Sequence, residues 1–217
     1  MMQGLEPALR GGLDSLQCEL DDDRIGRLLD YLGMIQKWNQ VYNLTAVRDA
    51  GEMLAHHLLD CLAVVGPLLR QTAGQPIRLL DVGSGAGLPG VVIAICCPQV
   101  RVDCVDAVGK KAAFVQQVAA ALRQANLRGI HARVEKLSET YEVVVSRAFA
   151  SLADFVTLSE SALSAGGIWL AQKGRDPSDE IGALPPGIVV FHVEQLTVPG
   201  LGAERCIVWL RHAAPVT

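Results

Sequence analysis

The sequence predicts an α/β fold: a mostly parallel sheet preceded by a helical extension. Three observations predict it. After about residue 76, short apolar runs alternate with segments of helical period. One of those runs ends in Asp81 and breaks at once into glycines at 83, 85, 87 and 90. Before it, residues from about 5 to 70 read as helix throughout.

In the extension, Asp21, Asp22 or Asp23 can start a helix, because a side-chain oxygen there satisfies a free N–H. Ile25, Leu28, Leu29, Leu32, Ile35 and Trp38 then recur at helical spacing. A second helix is predicted through about Glu52 to Val65, stopping near Gly66-Pro67. Asn43 suits a turn or a helix cap. The polar stretch Gln71 to Pro76 reads as a linker, so the chain divides into an extension at 1–72 and a sheet domain at 73–217. In the latter, strands are expected at Arg78–Val82, Val100–Asp106, Gly129–Val134, Glu142–Ser146, Gly167–Gln172, Ile188–Leu196 and Cys206–Arg211. Helices are expected at Pro89–Cys96, Lys110–Ala125 and Leu152–Ser164, with a short one near Pro177–Leu184. Alternation of this kind implies right-handed crossovers, with ligand at the carboxyl ends of the strands. Gly200-Leu201-Gly202 reads as a hairpin connection that makes the last strand antiparallel.

The 217 residues suffice for one substantial core, and half of them are apolar. That composition excludes a disordered chain. The longest apolar run, Leu88 to Pro98, is too short for a membrane span, and no secretory signal pattern opens the sequence. Six cysteines lie in apolar segments without metal-type pairing, as expected of buried reduced thiols in the cytoplasm. His56 and His57 are adjacent on a predicted helix and point about 100° apart, so no metal site is expected. The net charge of −4 argues against a wholly basic nucleic-acid-binding surface. Residues 1–60 hold 5 Lys and Arg against 10 Asp and Glu, while 61–217 hold 14 against 13, so any RNA-facing surface is a local patch.

Strand, glycine turn and helix in that order make a nucleotide-cofactor loop, with Gly83 and Gly85 letting backbone approach the ligand. A dinucleotide fingerprint fits poorly. Counted from Gly83 its third glycine falls on Leu88, and Asp81 would repel a pyrophosphate. Asp81 suits a cofactor with a cationic end, such as S-adenosylmethionine. Asp106, ending the second strand, is placed to accept hydrogen bonds from ribose hydroxyls, whereas Asp103 reads as an ordinary surface carboxylate. Seven strands ending in a hairpin then fit a class I S-adenosylmethionine-dependent methyltransferase domain, Rossmann-like in topology. In this fold Val134 and Glu135, after the third strand, lie beside the adenine, although Glu135 equally suits a helix start. Arg147 ends the fourth strand, at the mouth of the site, where it can hold a cofactor carboxylate or an RNA phosphate or form a plain rim salt bridge. Lys173 is placed similarly. Lys110 and Lys111 are solvated charges or phosphate contacts.

The combination resembles a known family. Lys37-Trp38-Asn39, Tyr42-Asn43-Leu44-Thr45, His57 with Asp60, the loop Asp81 to Gly90, Asp106 with Gly109-Lys110, Arg133-Val134-Glu135, Ser146 to Ala150, Lys173-Gly174 and Glu204-Arg205 are similar to the bacterial 16S ribosomal RNA guanine-N7 methyltransferases, the RsmG or glucose-inhibited division protein B family. The resemblance implies that S-adenosylmethionine is held by Gly83 and Leu88, with Val134 and Glu135 at the adenine and Arg147 near the reacting end. It implies guanine 527 of 16S ribosomal RNA, in the small ribosomal subunit, as target, and an extension that forms one wall of the cleft. Guanine N7 carries a free lone pair, so Arg147 is expected to position and no general base is expected. Phe149 can stack on the target base or belong to the core. The segment His56-His57-Leu58-Leu59-Asp60-Cys61 departs from relatives that read Arg-His followed by Asp-Ser, which weakens a phosphate role there, and Ala107 stands where serine is frequent. The expected protein is a cytoplasmic monomer with no membrane and no obligate protein partner. A methyltransferase of a small molecule or protein, and a non-catalytic ribosome-assembly factor, are the competing readings.

Overall fold

The structure is a computed structural model in which residues 2–147, 151–175 and 177–214 are described. Among them the sheet has seven strands in the order β3-β2-β1-β4-β5-β7-β6: β1 (Arg78–Val82), β2 (Arg101–Asp106), β3 (Leu127–His131), β4 (Tyr141–Ser146), β5 (Leu163–Lys173), β6 (Ile188–Leu196) and β7 (Arg205–His212). The first five are mutually parallel, and β7 runs antiparallel between β5 and β6, as the glycine connection predicts. The strand order reverses between β1 and β4, and open α/β sheets take ligands at their carboxyl ends near such a switch.

The extension consists of α1 (Glu6–Ser15), α2 (Asp22–Tyr42), α3 (Ala50–Met53), a π-helical turn Leu54–Leu59, α4 (Asp60–Leu62) and α5 (Val65–Gln71). Asp21 caps α2, its side chain accepting from Arg24 N–H at 2.8 Å, and Asn43 closes α2 in the left-handed region at φ 48°. The predicted stop at Gly66-Pro67 is corrected. The chain turns at Ala63-Val64, and α5 then carries Pro67 in its first turn, where the missing N–H costs nothing. The run Ala50–Gln71 is long and apolar enough to cross a membrane by length and composition, which the sequence reading of apolar runs missed; 72% of its apolar 18-residue window is buried inside the fold.

Helices α6 (Gly90–Cys96) and α7 (Gly109–Ala121) cover one face of the sheet together with the extension; α8 (Leu152–Ser159) covers the other, and α9 (Ser178–Ile181) is a single turn. Alternation along β1 separates the two cores. Leu79 joins Val102, Val143, Leu28, Leu32 and Leu58 on the face covered by the extension, whereas Leu80 joins Val144, Phe155 and Trp169 on the opposite face. The extension therefore packs directly on the sheet. It also holds the glycine loop, because the buried Tyr31 hydroxyl donates to Ala86 C=O at 2.7 Å.

Several boundaries differ from the sequence reading, among them α7, which ends at Ala121 and not Ala125, and α8, which ends at Ser159 and not Ser164. β3 begins at Leu127 and ends at His131, because Asn126 pins its start to the carbonyls of Ala94 and Val100, and its partner β2 ends at Asp106 opposite His131. Val134 is thereby released from the strand into a short 3-10 turn. β5 begins at Leu163, since α8 gives way to a 3-10 turn Glu160–Ala162 and Leu163 pairs with Tyr141.

Candidate functional site

A cavity of about 260 Å³ opens at the carboxyl ends of β1, β2 and β3, lined by Val82, Gly83, Val105, Asp106, Ala107, Ala132, Arg133, Val134, Glu135 and Leu158. The four glycines of the loop differ in what they do, and Gly87 combines a φ of +86° with a Cβ position 2.4 Å from Val91 Cγ2. Gly83 and Gly85 have φ of +66° and +60°, and a Cβ at either would meet open space. Gly90 is needed for packing instead: a Cβ there would lie 2.5 Å from Cys104 Sγ and 2.9 Å from Asp81 Oδ2.

Two carboxylates organise this loop. Asp106 accepts from Gly85 N–H at 3.0 Å through Oδ2 and from Val108 N–H at 2.8 Å through Oδ1, with Lys111 Nζ 3.7 Å away. Asp81 is fully buried. Its Oδ2 accepts from Gly90 N–H at 2.8 Å, and its Oδ1 has no partner among the described residues. Burial pushes the Asp81 carboxyl up to about 7. An orphaned carboxylate oxygen beneath a loop whose glycines open on space fits a nucleoside ligand that also carries a cation.

A second cluster gathers around Asp60, itself only 2% exposed. Arg205 Nε donates to Asp60 Oδ1 at 2.8 Å, Arg147 Nη1 to Asp60 Oδ2 at 3.2 Å, and Gln172 Nε2 to both Oδ1 and the backbone carbonyl at 3.0 Å. Arg147 Nη1 also donates to His56 C=O at 2.8 Å. The guanidinium from the end of β4 thus clasps the π-helical turn, a local geometry that recurs at functional sites. Beside it His57 is buried and shares a hydrogen bond between Nε2 and Thr45 Oγ1 at 2.8 Å. Burial, and secondarily the Arg147 charge, lower its pKa to about 4, so the ring is neutral at neutral pH. The four buried side-chain atoms without a partner among the described residues belong to Asp81, Ser84, His57 and Gln172, two in the glycine loop and two around Asp60.

Of the residues expected to hold a cofactor, Gly83, Asp106, Val134 and Glu135 line one cavity, and Gly85 joins them through its hydrogen bond to Asp106. Leu88 does not line it and packs in the core on the extension's side. Arg147, expected at the mouth, is drawn inward onto Asp60, its side chain 23% exposed. Lys173 pairs with Glu180 at 2.7 Å as a rim salt bridge. Asp103 is no ordinary surface carboxylate: it takes Arg128 Nη2 at 2.6 Å and the Tyr141 hydroxyl at 2.8 Å. Ala148, Phe149 and Ala150 lie outside the described residues. Sequence reasoning assigned no role to Tyr31, Gln172 or Arg133. The one available signal was Tyr31, a hydroxyl on the apolar stripe of α2 that needs an acceptor once buried.

Comparison with known proteins finds relatives over nearly the whole chain. Residues 24–208 match the family model described as rRNA small subunit methyltransferase G. A protein of Albidiferax ferrireducens named ribosomal RNA small subunit methyltransferase G is 63% identical over 98% of this chain and 100% of its own length. One of the same name from Paracidovorax citrulli is 61% identical over 95% of this chain and 90% of its own. Among solved structures, magnesium protoporphyrin IX methyltransferase from Synechocystis PCC 6803, with bound SAM, aligns at TM-score 0.60 and 15% identity over 89% of this chain and 98% of that one. TrmN from Thermus thermophilus aligns at TM-score 0.56 and 19% identity over 74% of this chain, which spans about half (53%) of that protein. What the chain shares with both structures is the fold, the seven-stranded sheet of class I methyltransferases.

Proposed function

The chain belongs to the rRNA small subunit methyltransferase G family, and we propose that within it the protein methylates N7 of a guanine, guanine 527 of 16S ribosomal RNA. S-adenosylmethionine as methyl donor and ribosomal RNA as substrate follow from that membership. The nucleotide, the acceptor atom and the residue roles are the proposed part. The observation that carries the reading is the convergence of Gly83, Asp106, Val134 and Glu135 on one cavity at the carboxyl ends of the sheet.

When bound, the cofactor supplies an electrophilic methyl group on a sulfonium. The chain's contribution is to bind and orient. Asp106, already fixed by the amides of Gly85 and Val108, keeps lone pairs for ribose hydroxyls. Val134 and Glu135 border the space for the base, and Asp81 offers its orphaned oxygen to the cationic end. Arg147, clasped by Asp60 and His56, acts as a positioning group. No side chain has to take a proton from guanine N7, whose lone pair is free. Rate enhancement then rests on alignment, worth on the order of 7–11 kcal/mol at best. The product guanine is cationic, and the carboxylates of Asp81 and Glu135 suit a site that must carry that charge. A looped target base enters at lower cost than a paired one. The extension at 1–72 forms one wall of the cleft, and the protein works as a cytoplasmic monomer on the small subunit.

The test is transfer of labelled methyl from S-adenosylmethionine to small subunits purified from a strain lacking the enzyme, with the site mapped by cleavage at 7-methylguanine. Stoichiometric label at one guanine is expected. Cofactor binding without labelled RNA would move the reading to a small-molecule or protein substrate.

A further inference from the structure

The cavity of about 260 Å³ has room for a nucleoside-sized group but offers little surface to a polymer. Exposed apolar surface lies beside it. Among the described residues the exposed large apolar side chains are Val41 at 71%, Tyr42 at 40%, Val108 at 40% and Val189 at 38%. Three of these four belong to two segments that meet: the last turn of α2 and the β2–α7 junction. Lys110 Nζ sits 5.8 Å above the Tyr42 ring, Trp38 lies 4.9 Å from Tyr42, and Trp38 meets Phe114 of α7 edge-on at 5.1 Å. The junction is continuous with the cavity, since Ala107 lines it and Val108 N–H is held by Asp106.

Charge on these segments runs against that of the whole protein. The chain carries a net −4, yet Lys37 to Arg48 contains no carboxylate, and Ala107 to Val134 contains none against five Lys and Arg. Lys37 and Lys110 are exposed, and Lys37 stands one turn before Val41 on the same side of α2. An exposed ring with a tilted aromatic neighbour and cations alongside is the arrangement on which single strands stack their bases while lysines track the phosphates.

We propose that this rim, built from Lys37, Val41, Tyr42, Val108 and Lys110, is the docking platform for a single-stranded stretch of the RNA next to the target nucleotide. The proposal rests on the reading of the protein as an RNA methyltransferase and names the surface through which it engages its substrate. Lys110, on a flexible stem, yields the Tyr42 face to a base and takes a neighbouring phosphate. Apolar Val41 and Val108 flank the stacked base and shed water when covered.

The experiment compares wild type, Tyr42→Ala, Tyr42→Trp and Lys110→Ala. It measures methyl transfer to unmethylated small subunits and to protein-free 16S RNA, cofactor affinity by calorimetry, and anisotropy of a labelled single-stranded RNA. Tyr42→Ala is expected to raise KM for either RNA substrate at least about fivefold, with cofactor affinity unchanged, and Tyr42→Trp to restore it. Lys110→Ala should flatten the logarithmic salt dependence of RNA binding by about 0.7. Unchanged KM and anisotropy in Tyr42→Ala would overturn the platform. So would a KM effect seen on subunits but absent on protein-free RNA, because the surface would then meet a ribosomal protein. If wild type labels neither RNA, the functional reading falls; a loss of anisotropy in Tyr42→Ala would still support the platform, and unchanged anisotropy would overturn it as well.

Discussion

Asp81 and Gly90 are joined across the glycine loop by a 2.8 Å hydrogen bond from the Gly90 amide to Oδ2, and the other carboxylate oxygen is left without a partner among the described residues. One amide does not compensate a fully buried carboxylate, and the Asp81 carboxyl is pushed up to about 7 from 3.8. Between those values the folded chain holds a proton that the unfolded chain has lost. This contribution to stability is therefore complete below about pH 4 and is lost as pH rises through about 7. Thermal unfolding of the wild type is expected to fall from pH 5 to 8 relative to Asp81→Asn. A cation placed beside Asp81 draws the proton off, so S-adenosylmethionine should bind more tightly as pH rises from 6 to 7.5, by at most about tenfold per unit. Calorimetry in buffers of different ionisation enthalpy would detect the released proton. A pH-independent affinity in the wild type would remove Asp81 from the cofactor's cationic end.

Gly83 provides a cleaner separation of binding from folding. A Cβ there meets open space, and φ of +66° is a conformation that aspartate tolerates at a cost of roughly 1 kcal/mol. Gly83→Asp should therefore fold with a modest loss of stability. Its carboxylate enters the same cavity as Asp106, excluding the cofactor by volume and by like charge. Cofactor binding is expected to fall below detection by calorimetry while far-ultraviolet circular dichroism is unchanged. Normal affinity in this variant would mean that the cofactor does not pass over Gly83.

The contrast between the two clusters explains what could be read beforehand. The glycine loop and its two acids are legible because strand, turn and helix are contiguous, and Asp81, Gly83 and Gly85 sit within five residues. Val134 misled the assignment of β3, since an apolar residue that faces a cavity is indistinguishable by periodicity from one that continues a strand. The Asp60 cluster is out of reach of local reasoning. Its partners Arg147, Gln172 and Arg205 lie 87, 112 and 145 residues away and meet only because β4, β5 and β7 are neighbours in the sheet. An arginine at a strand end is readable as polar and near the rim; which acid turns it inward is settled by tertiary packing.

Tyr31 tests whether the extension supports the loop. Its hydroxyl is fully buried and donates to Ala86 C=O at 2.7 Å, between Gly85 and Gly87. Tyr31→Phe keeps the ring against Phe114 and removes only the donor, leaving a buried carbonyl without its partner. A loss of about 1–3 kcal/mol in urea unfolding is expected. Because the orphaned carbonyl belongs to the loop, cofactor affinity should fall as well, and by more than in a core variant of equal instability such as Leu28→Val. Equal affinities in the two variants would make Tyr31 a purely structural residue.

Arg147 and Asp60 are the pair in which stability and chemistry come apart. Asp60 serves two guanidiniums and a glutamine while almost fully buried, so Asp60→Ala leaves two charged groups without their anion and should cost roughly 3–5 kcal/mol. Arg147→Ala is milder for the fold, because Asp60 keeps Arg205 and Gln172. Arg147 uses only Nη1 in bonds among the described residues, and its remaining donors are available at the end of β4. Methyl transfer to small subunits should therefore drop at least about tenfold in Arg147→Ala with an unfolding shift well below that of Asp60→Ala. Arg147→Lys keeps the charge but loses the planar fork, and should recover stability more than rate. If Arg147→Ala lowers stability as much as Asp60→Ala and transfers methyl normally at low temperature, the arginine is a structural clasp and its place near the reacting end is wrong.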